Sequence, residues 1–314
     1  MFSIVLSNLI SLCLLMLAGF ILRKIRVITD EVNTGLSSIL LKVALPCTII
    51  MSMQREFSME MLAEGGVVFL VALAMHFIAI PIGLLLTRLG RVPMTQRGIW
   101  LFALSFGNVA YMGYPVITAI FGDAALFYVA MNNVAFNLLF PTLGYAIVVY
   151  GMPKAEPQEK ADVKTLAKRL ATNEALIATV VGLALFVTST RLPAPVGSAL
   201  TMAGSLTTPV SMMIIGGLLA KNSFKLVFGD FRIYLLAAVR LLAVPLTLWL
   251  ILRLFVQNPL MLGVMVYLAA MPAGAVLGIV SVQKKADSFA ASKVVFMTTV
   301  LSLLTIPLIS LILG

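Results

Sequence analysis

The residues best suited to bind a ligand lie in two proline-centred segments, FGNVAYMGYPVITAIFG and AAMPAGAVLG. Proline in a helix removes a backbone hydrogen bond and clashes with the preceding turn, and neighbouring glycines make a break easier. The amides that begin the next half-helix, with the positive end of its dipole, favour an anionic group such as a carboxylate. We predict that these breaks form an anion site; the alternative is a pair of kinks that serve packing only. The residues concerned are Asn108, Gly113, Tyr114, Pro115, Pro272, Ala273 and Gly274.

A third segment, YVAMNNVAFNLLFP, adds three asparagines, Asn132, Asn133 and Asn137. Asn133 and Asn137 are four residues apart, so on a helix they share a face and could line a cavity together with Asn108. An amide both donates and accepts hydrogen bonds, which suits a carboxylate or a hydroxyl group without adding charge. Hydrogen bonding between helices is the alternative role for each of them.

His76 and Arg240 are two cation-capable side chains deep inside apolar segments. Each lies five residues before a proline, and the two are 164 residues apart. Placing an arginine at the centre of a membrane helix costs about 2.5 to 3.5 kcal/mol, so a compensating role is expected. Both could attract an anion, and His76 could carry a coupling proton because histidine titrates near neutral pH. The alternatives are a structural hydrogen bond for His76 and, for Arg240, a side chain that reaches the cytoplasmic edge.

The segments that position these residues are those of an integral membrane protein. The 314-residue chain is 61% hydrophobic and 11% charged, with mean hydropathy +1.09, whereas soluble domains are about half apolar and about a quarter charged. Its net charge of +10 comes from short basic clusters between apolar segments, which does not fit a nucleic-acid-binding surface. Cys13 and Cys47 both lie in apolar segments, so we expect no disulfide framework, no metal site and no cofactor.

Ten apolar segments fit the length of about 20 residues that a bilayer requires. They cover residues 2–22, 33–52, 65–87, 98–121, 124–150, 174–190, 196–220, 232–256, 260–283 and 288–312. With Arg232 counted in the seventh loop and Arg253 in the eighth, alternate loops hold 16 lysines and arginines, and the other loops hold 3. By the positive-inside rule, both termini lie outside the cytoplasm.

The prolines indicate an inverted repeat, with chance placement as the alternative. Four pairs recur at offsets of 157 to 166 residues: Pro46 with Pro209, Pro81 with Pro245, Pro115 with Pro272 and Pro141 with Pro307. A unit of five spans enters the membrane in the opposite sense when repeated, as in many secondary transporters. We therefore divide the chain into a five-helix repeat at 1–150, a cytoplasmic linker at 151–173 and a second repeat at 174–314. Within the linker, DVKTLAKRLA has the spacing of an interfacial helix, and a solvated loop is the alternative.

All twelve acidic residues fall in connections or at segment ends, Glu64 and Asp123 among them. Many cation pumps need a carboxylate within the membrane. The sequence therefore argues against a cation as the main cargo.

The strings GNVAYMGYP, LPCTI and MPAGA, together with the ten-span layout, resemble the auxin efflux carrier family, which includes bacterial malate and malonate permeases and plant auxin carriers of the PIN type. The resemblance covers essentially the whole chain and implies a fold of the sodium/proton antiporter type. It implies a scaffold of helices 1, 2, 6 and 7, a transport domain of helices 3–5 and 8–10, crossing helices 4 and 9, and a homodimer. By the same likeness Pro115 and Pro272 mark the crossing, Asn108 matches an asparagine that contacts carboxylate, and Asn137 matches a second one. His76 stands where the plant relatives have an acid and a base, so their accessory site does not carry over.

We expect a secondary active or facilitative transporter of small organic anions, such as malonate, malate or auxin-like acids, that works by an elevator or rocking movement. H⁺ or Na⁺ is a possible coupling ion, and the location is the bilayer of a bacterial inner or plasma membrane. The alternative is a membrane sensor that binds an anion without moving it. An enzyme is not expected, because no HExxH, GxSxG or GxxxxGK motif occurs.

Overall fold

The computed structural model describes residues 2–152, 163–221 and 231–313. Regular secondary structure in these residues is helical, and the β pairing found among them is one isolated antiparallel bridge. The helices are α1 (Phe2–Lys24), α2 (Asp30–Ser52), α3 (Met59–Leu89), α4 (Met94–Ser105), α5 (Val109–Phe121), α6 (Asp123–Val148), α7 (Val163–Ala171), α8 (Glu174–Val187), α9 (Ala194–Lys221), α10 (Phe231–Leu252), α11 (Pro259–Ala269), α12 (Val276–Gln283) and α13 (Ser288–Leu313). The first part of the predicted linker, residues 153–162, lies outside the described residues.

Seven of the described helices are long and apolar enough to cross a membrane, namely α1, α2, α3, α6, α9, α10 and α13. The pair of α7 and α8, which bends by 60°, makes an eighth if it is counted as one span. The predicted segments 98–121 and 260–283 are each divided into two helices, α4 with α5 and α11 with α12. Each of these four is shorter than the roughly 20 residues that a complete crossing needs.

Three π-helical turns come just before a proline. The turns are Leu40–Ala44 before Pro46, Val109–Gly113 before Pro115 and Val239–Ala243 before Pro245. Proline has no amide hydrogen for the carbonyl one turn back, and a wider turn accommodates the missing bond. Proline alone does not force such a turn, because α3 and α13 continue as regular α-helices through Pro81 and Pro307.

Side-chain caps explain where four of the helices begin. Thr29, Ser58, Asn173 and Asn258 each accept a hydrogen bond from a backbone amide in the first turn of the following helix, at 2.9 to 3.3 Å. Such caps satisfy amides that have no partner within the helix. The Ser58 cap starts α3 six residues earlier than the hydropathy pattern predicts, so Glu64 lies inside the helix and is partly buried.

Glycines allow the closest helix contacts. A Cβ atom at Gly19 of α1 would collide with the backbone of Met213, and one at Gly216 of α9 would collide with the backbone of Met16. The α1 and α9 backbones therefore touch, which is a common mode of packing between membrane helices. Nearer the start of α9, Thr207 forms a 2.8 Å hydrogen bond with Thr48 of α2.

Large apolar side chains cover the outside of the bundle. In α1 the exposed ridge consists of Leu6, Ile10, Leu14, Leu17 and Ile21. Their spacing of three or four residues places them on one helix face. A water-soluble protein rarely exposes such a continuous apolar surface, and this surface fits contact with lipid.

Candidate functional site

The two helix breaks meet each other. The backbone amide of Asn108 donates to the carbonyl of Pro272 at 2.8 Å, and the backbone amide of Gly274 donates to the carbonyl of Phe106 at 2.9 Å. These two bonds form the isolated antiparallel bridge. They satisfy backbone groups that the broken helices leave free, as required of irregular backbone at membrane depth. Four half-helix ends therefore converge at one point, which we call the crossing.

Arg240 of α10 joins the carbonyl ends of two half-helices at the crossing. Its Nη1 donates to the carbonyl of Leu104, in the last turn of α4, at 2.7 Å, and its Nε donates to the carbonyl of Met271, just beyond α11, at 3.0 Å. The side chain is only 4% exposed, and a Cβ atom at Gly107 would collide with the guanidinium. Helix carboxyl ends carry partial negative charge, so Arg240 compensates both. The alternative in which Arg240 extends to the cytoplasmic edge is wrong.

His76 of α3 lies in the same cleft as Arg240. Its Nδ1 is 2.6 Å from the carbonyl oxygen of Ala72. A carbonyl only accepts, so we assign the proton to Nδ1, which leaves Nε2 of the neutral ring as an acceptor. Nε2 is buried and has no hydrogen-bond partner among the described residues. The cleft encloses about 470 Å³, part of it open to the surface, and Ser105 and Asn132 also line it.

Asn108 faces a second cleft, on another side of the crossing. The residue is 3% exposed. This cleft of about 270 Å³ is lined by Leu218 of α9, Ala275 and Thr299 of α13, with other apolar residues. No carboxylate is found among the described residues that line it. Asn108 and the pair of His76 and Arg240 therefore occupy separate clefts around one crossing.

Asn133 and Asn137 do not line either cleft. Asn133 is buried, and its carbonyl accepts a 2.9 Å hydrogen bond from Asn137 Nδ2. The Asn137 side-chain oxygen accepts a 3.1 Å bond from Asn173, the residue that caps α8. Asn137 thus joins α6 to the end of the linker. Of the three asparagines in α6, the structure places Asn132 beside His76.

The proline of α5 lies away from the break. Pro115 follows Asn108 by seven residues and begins the regular part of α5 after its π-helical turn. The crossing therefore lies at Gly107 and Asn108 and not at Pro115, because the pairing with the strand-like segment around Pro272 decides where the helix opens. Gly113 packs near Leu268, and a Cβ atom there would be 3.0 Å from its side chain.

Tyr114 is completely buried beside Asn133. Its hydroxyl makes no hydrogen bond of good geometry with the described residues. It lines a third cavity, between α2, α5 and α9.

Two further residues at the crossing carry no signal in the sequence. Thr298 of α13 accepts a 3.2 Å hydrogen bond from the Ala273 amide, while its own hydroxyl donates to Val294 within the helix. Ser105, at the end of α4, has a buried hydroxyl without a hydrogen-bond partner in the described part of the chain. Serine and threonine are common in membrane helices, so only the fold distinguishes these two.

Glu64 takes part in a separate hydrogen-bond cluster. It accepts from the hydroxyl of Tyr128 in α6 and, at 2.7 Å, from the side-chain amide of Asn258, which caps α11. The cluster ties α3, α6 and α11 together at one end. The described ranges contain no group of three His, Cys, Asp or Glu residues that could hold a metal ion.

Comparisons with known proteins agree with a membrane carrier. Residues 4–310 match the family described as "Membrane transport protein". An uncharacterized transporter of Methanocaldococcus jannaschii is 24% identical over 305 residues, which covers 94% of each chain. An uncharacterized transporter of Methanothermobacter thermautotrophicus is 24% identical over 310 residues, which covers 98% of each. The chain is therefore an integral membrane protein that belongs to the membrane transport protein family, the auxin efflux carrier family that its motifs resemble.

Proposed function

We propose that this transporter carries small organic anions, and that the crossing binds their carboxylate. The observation that supports this is the charge balance around the two breaks. Arg240 compensates the negative ends of α4 and α11, whereas α5 and α12 begin at the crossing with the positive ends of their dipoles. Because no acid lines the cleft at Asn108 in the described part of the chain, the uncompensated charge there is positive.

In this proposal Asn108 is the main side-chain contact for the carboxylate. Its side-chain amide can donate into the cleft without adding a fixed charge. The backbone around Pro272, Ala273 and Gly274 forms the opposite wall of the crossing. The other predicted residues act at a distance: Gly113, Tyr114 and Pro115 shape α5, and Asn133 and Asn137 hold α6 in place.

We further propose ten spans in two inverted repeats, 1–150 and 174–314, with the 151–173 linker in the cytoplasm and both termini outside. The broken pairs α4–α5 and α11–α12 then count as one span each, as does α8. In this arrangement α1, α2, α8 and α9 form the scaffold, and the other membrane helices form a transport domain. The Asn108 cleft lies between α9 on one side and Ala275 and α13 on the other, so a sliding or rocking movement of one group against the other would expose it to alternate sides.

The scaffold also offers a surface for a homodimer. The first part of α9, Ala194–Ser205, has no buried residue and exposes Val196 and Met202. A second copy that packs on this face would cover it.

Counterflow in proteoliposomes tests the carrier directly. Vesicles preloaded with one unlabelled acid from a panel of malonate, malate and indole-3-acetate should concentrate the same labelled acid from outside, with no ion gradient imposed. Saturable binding without counterflow would indicate the sensor function. Imposed Na⁺ or pH gradients, applied one at a time, then identify the coupling ion.

A further inference from the structure

The cavity between α2, α5 and α9 is larger than either cleft at the crossing and separate from both. We call it the outer chamber, because under the proposed topology it opens on the side away from the cytoplasm. It encloses about 1020 Å³, including open solvent, between the end of α2, α5 and the first half of α9. The polar residues that line it are Ser52, Arg55, Tyr114, Asp123, Thr201 and Ser205, together with the threonines Thr48, Thr118, Thr207 and Thr208.

Three of the hydroxyl groups that line the chamber are placed to act as acceptors. Ser52, Thr201 and Ser205 each donate their proton to a backbone carbonyl of their own helix, at 2.7 to 2.9 Å. A hydroxyl whose proton is engaged in this way keeps its lone pairs for another donor. These three side chains therefore suit a ligand that carries hydrogen-bond donors of its own.

Arg55 supplies hydrogen-bond donors to the same chamber. Its guanidinium has five N–H groups, and its protein contacts are a 3.3 Å hydrogen bond to the Ala124 carbonyl and a 4.0 Å contact with the Met61 sulfur. Asp123 also lines the chamber. Both salt bridges in the described residues involve Asp30, so Arg55 and Asp123 are not paired with each other.

From this arrangement we infer that the outer chamber binds a small carboxylic acid that also carries an ammonium or hydroxyl group. The carboxylate binds Arg55, which presents two parallel N–H groups to it. The ammonium or hydroxyl donates to the free lone pairs of Ser52, Thr201 and Ser205, and an ammonium also pairs with Asp123. A second carboxylate would have no second cation here, so simple dicarboxylates fit less well. The inference rests on the proposed function, since it narrows the substrates that reach the crossing from outside.

Three acids of matched size test these contacts separately: propionate has only the carboxylate, lactate adds a hydroxyl group and alanine adds an ammonium group. Their binding to purified protein in nanodiscs is measured with radiolabelled acid in a scintillation proximity assay. We expect alanine to bind at least about tenfold more tightly than propionate, since it gains a charged hydrogen bond, and lactate about 2- to 10-fold more tightly, since it gains a neutral one. Equal binding of all three would overturn the inference.

Substitutions of single residues test which side chain binds each group of the ligand. Arg55→Gln should weaken lactate and alanine about 10- to 100-fold, with partial recovery in Arg55→Lys. Asp123→Asn should weaken alanine alone. Arg253→Gln is the matched control, because Arg253 stacks on Trp249 and does not line the chamber. Binding that does not depend on Arg55, or no binding of any of the three acids, would refute the chamber as a ligand site.

Counterflow of the same acids distinguishes this inference from the proposed function. If binding depends on Arg55 but counterflow is absent, the chamber is a ligand site and the carrier function fails. If counterflow occurs and is unaffected by Arg55→Gln, the carrier stands and the chamber inference fails.

Discussion

Replacement of Arg240 by glutamine should destabilise the crossing and reduce the transport of every substrate. The guanidinium makes two hydrogen bonds to buried carbonyl groups, at 2.7 and 3.0 Å. A hydrogen bond to a charged group contributes about 1.5 to 3 kcal/mol. Glutamine has one shorter amide and can keep at most one of the two bonds, so the expected loss is about 1.5 to 3 kcal/mol.

Thermal unfolding in detergent measures the loss of stability, and proteoliposome uptake measures transport. Arg240→Lys should recover part of both, because lysine keeps the charge but cannot span two carbonyl groups with a planar fork. Gly107→Ala should cause a similar defect with Arg240 intact, since its Cβ would collide with the guanidinium. Arg253→Gln, just after α10, is the matched control and should leave both readouts unchanged.

The expected pattern is a fall in uptake for every acid at every pH, together with a lower melting temperature. That pattern follows if Arg240 positions the half-helices. If Arg240 instead contacted the substrate, the variant would melt at the wild-type temperature, and only the affinity for particular acids would change. The second result would refute the reasoning from the two carbonyl contacts.

Four further predictions concern the pathway, topology and packing. Asn108→Ala should weaken carboxylate binding about 10- to 100-fold with normal expression; unchanged affinity in a binding assay would remove Asn108 from the site. His76→Gln should abolish the pH dependence of net uptake but spare substrate exchange, which needs no net proton movement; unchanged pH dependence would leave His76 a packing role. A single cysteine at Lys164 in a cysteine-free chain should resist an impermeant reagent in intact cells. Rapid labelling would show that the linker lies outside, opposite to the proposed topology. Gly216→Leu should separate α1 from α9 and lower the melting temperature; a wild-type melt would contradict the close contact.

Composition and local pattern are sufficient for the class of protein. Hydropathy and helix length depend on neighbouring residues only, so the long apolar helices and the integral membrane location follow from them. The motif around Asn108 likewise led to the family. The number of complete spans does not follow in this way, because two of the ten predicted segments are broken into helices too short to cross alone.

The site depends on contacts between residues far apart in the chain. The break at Gly107, and not at Pro115, results from pairing with a segment more than 160 residues later. Arg240 donates a hydrogen bond to Leu104, 136 residues away in the chain, and the Asn137 side chain accepts one from Asn173 and does not line the crossing. Periodicity places a side chain on a helix face but does not say which helix packs against it. Hydrogen-bond partners of buried polar groups are therefore set by the packing of the whole bundle.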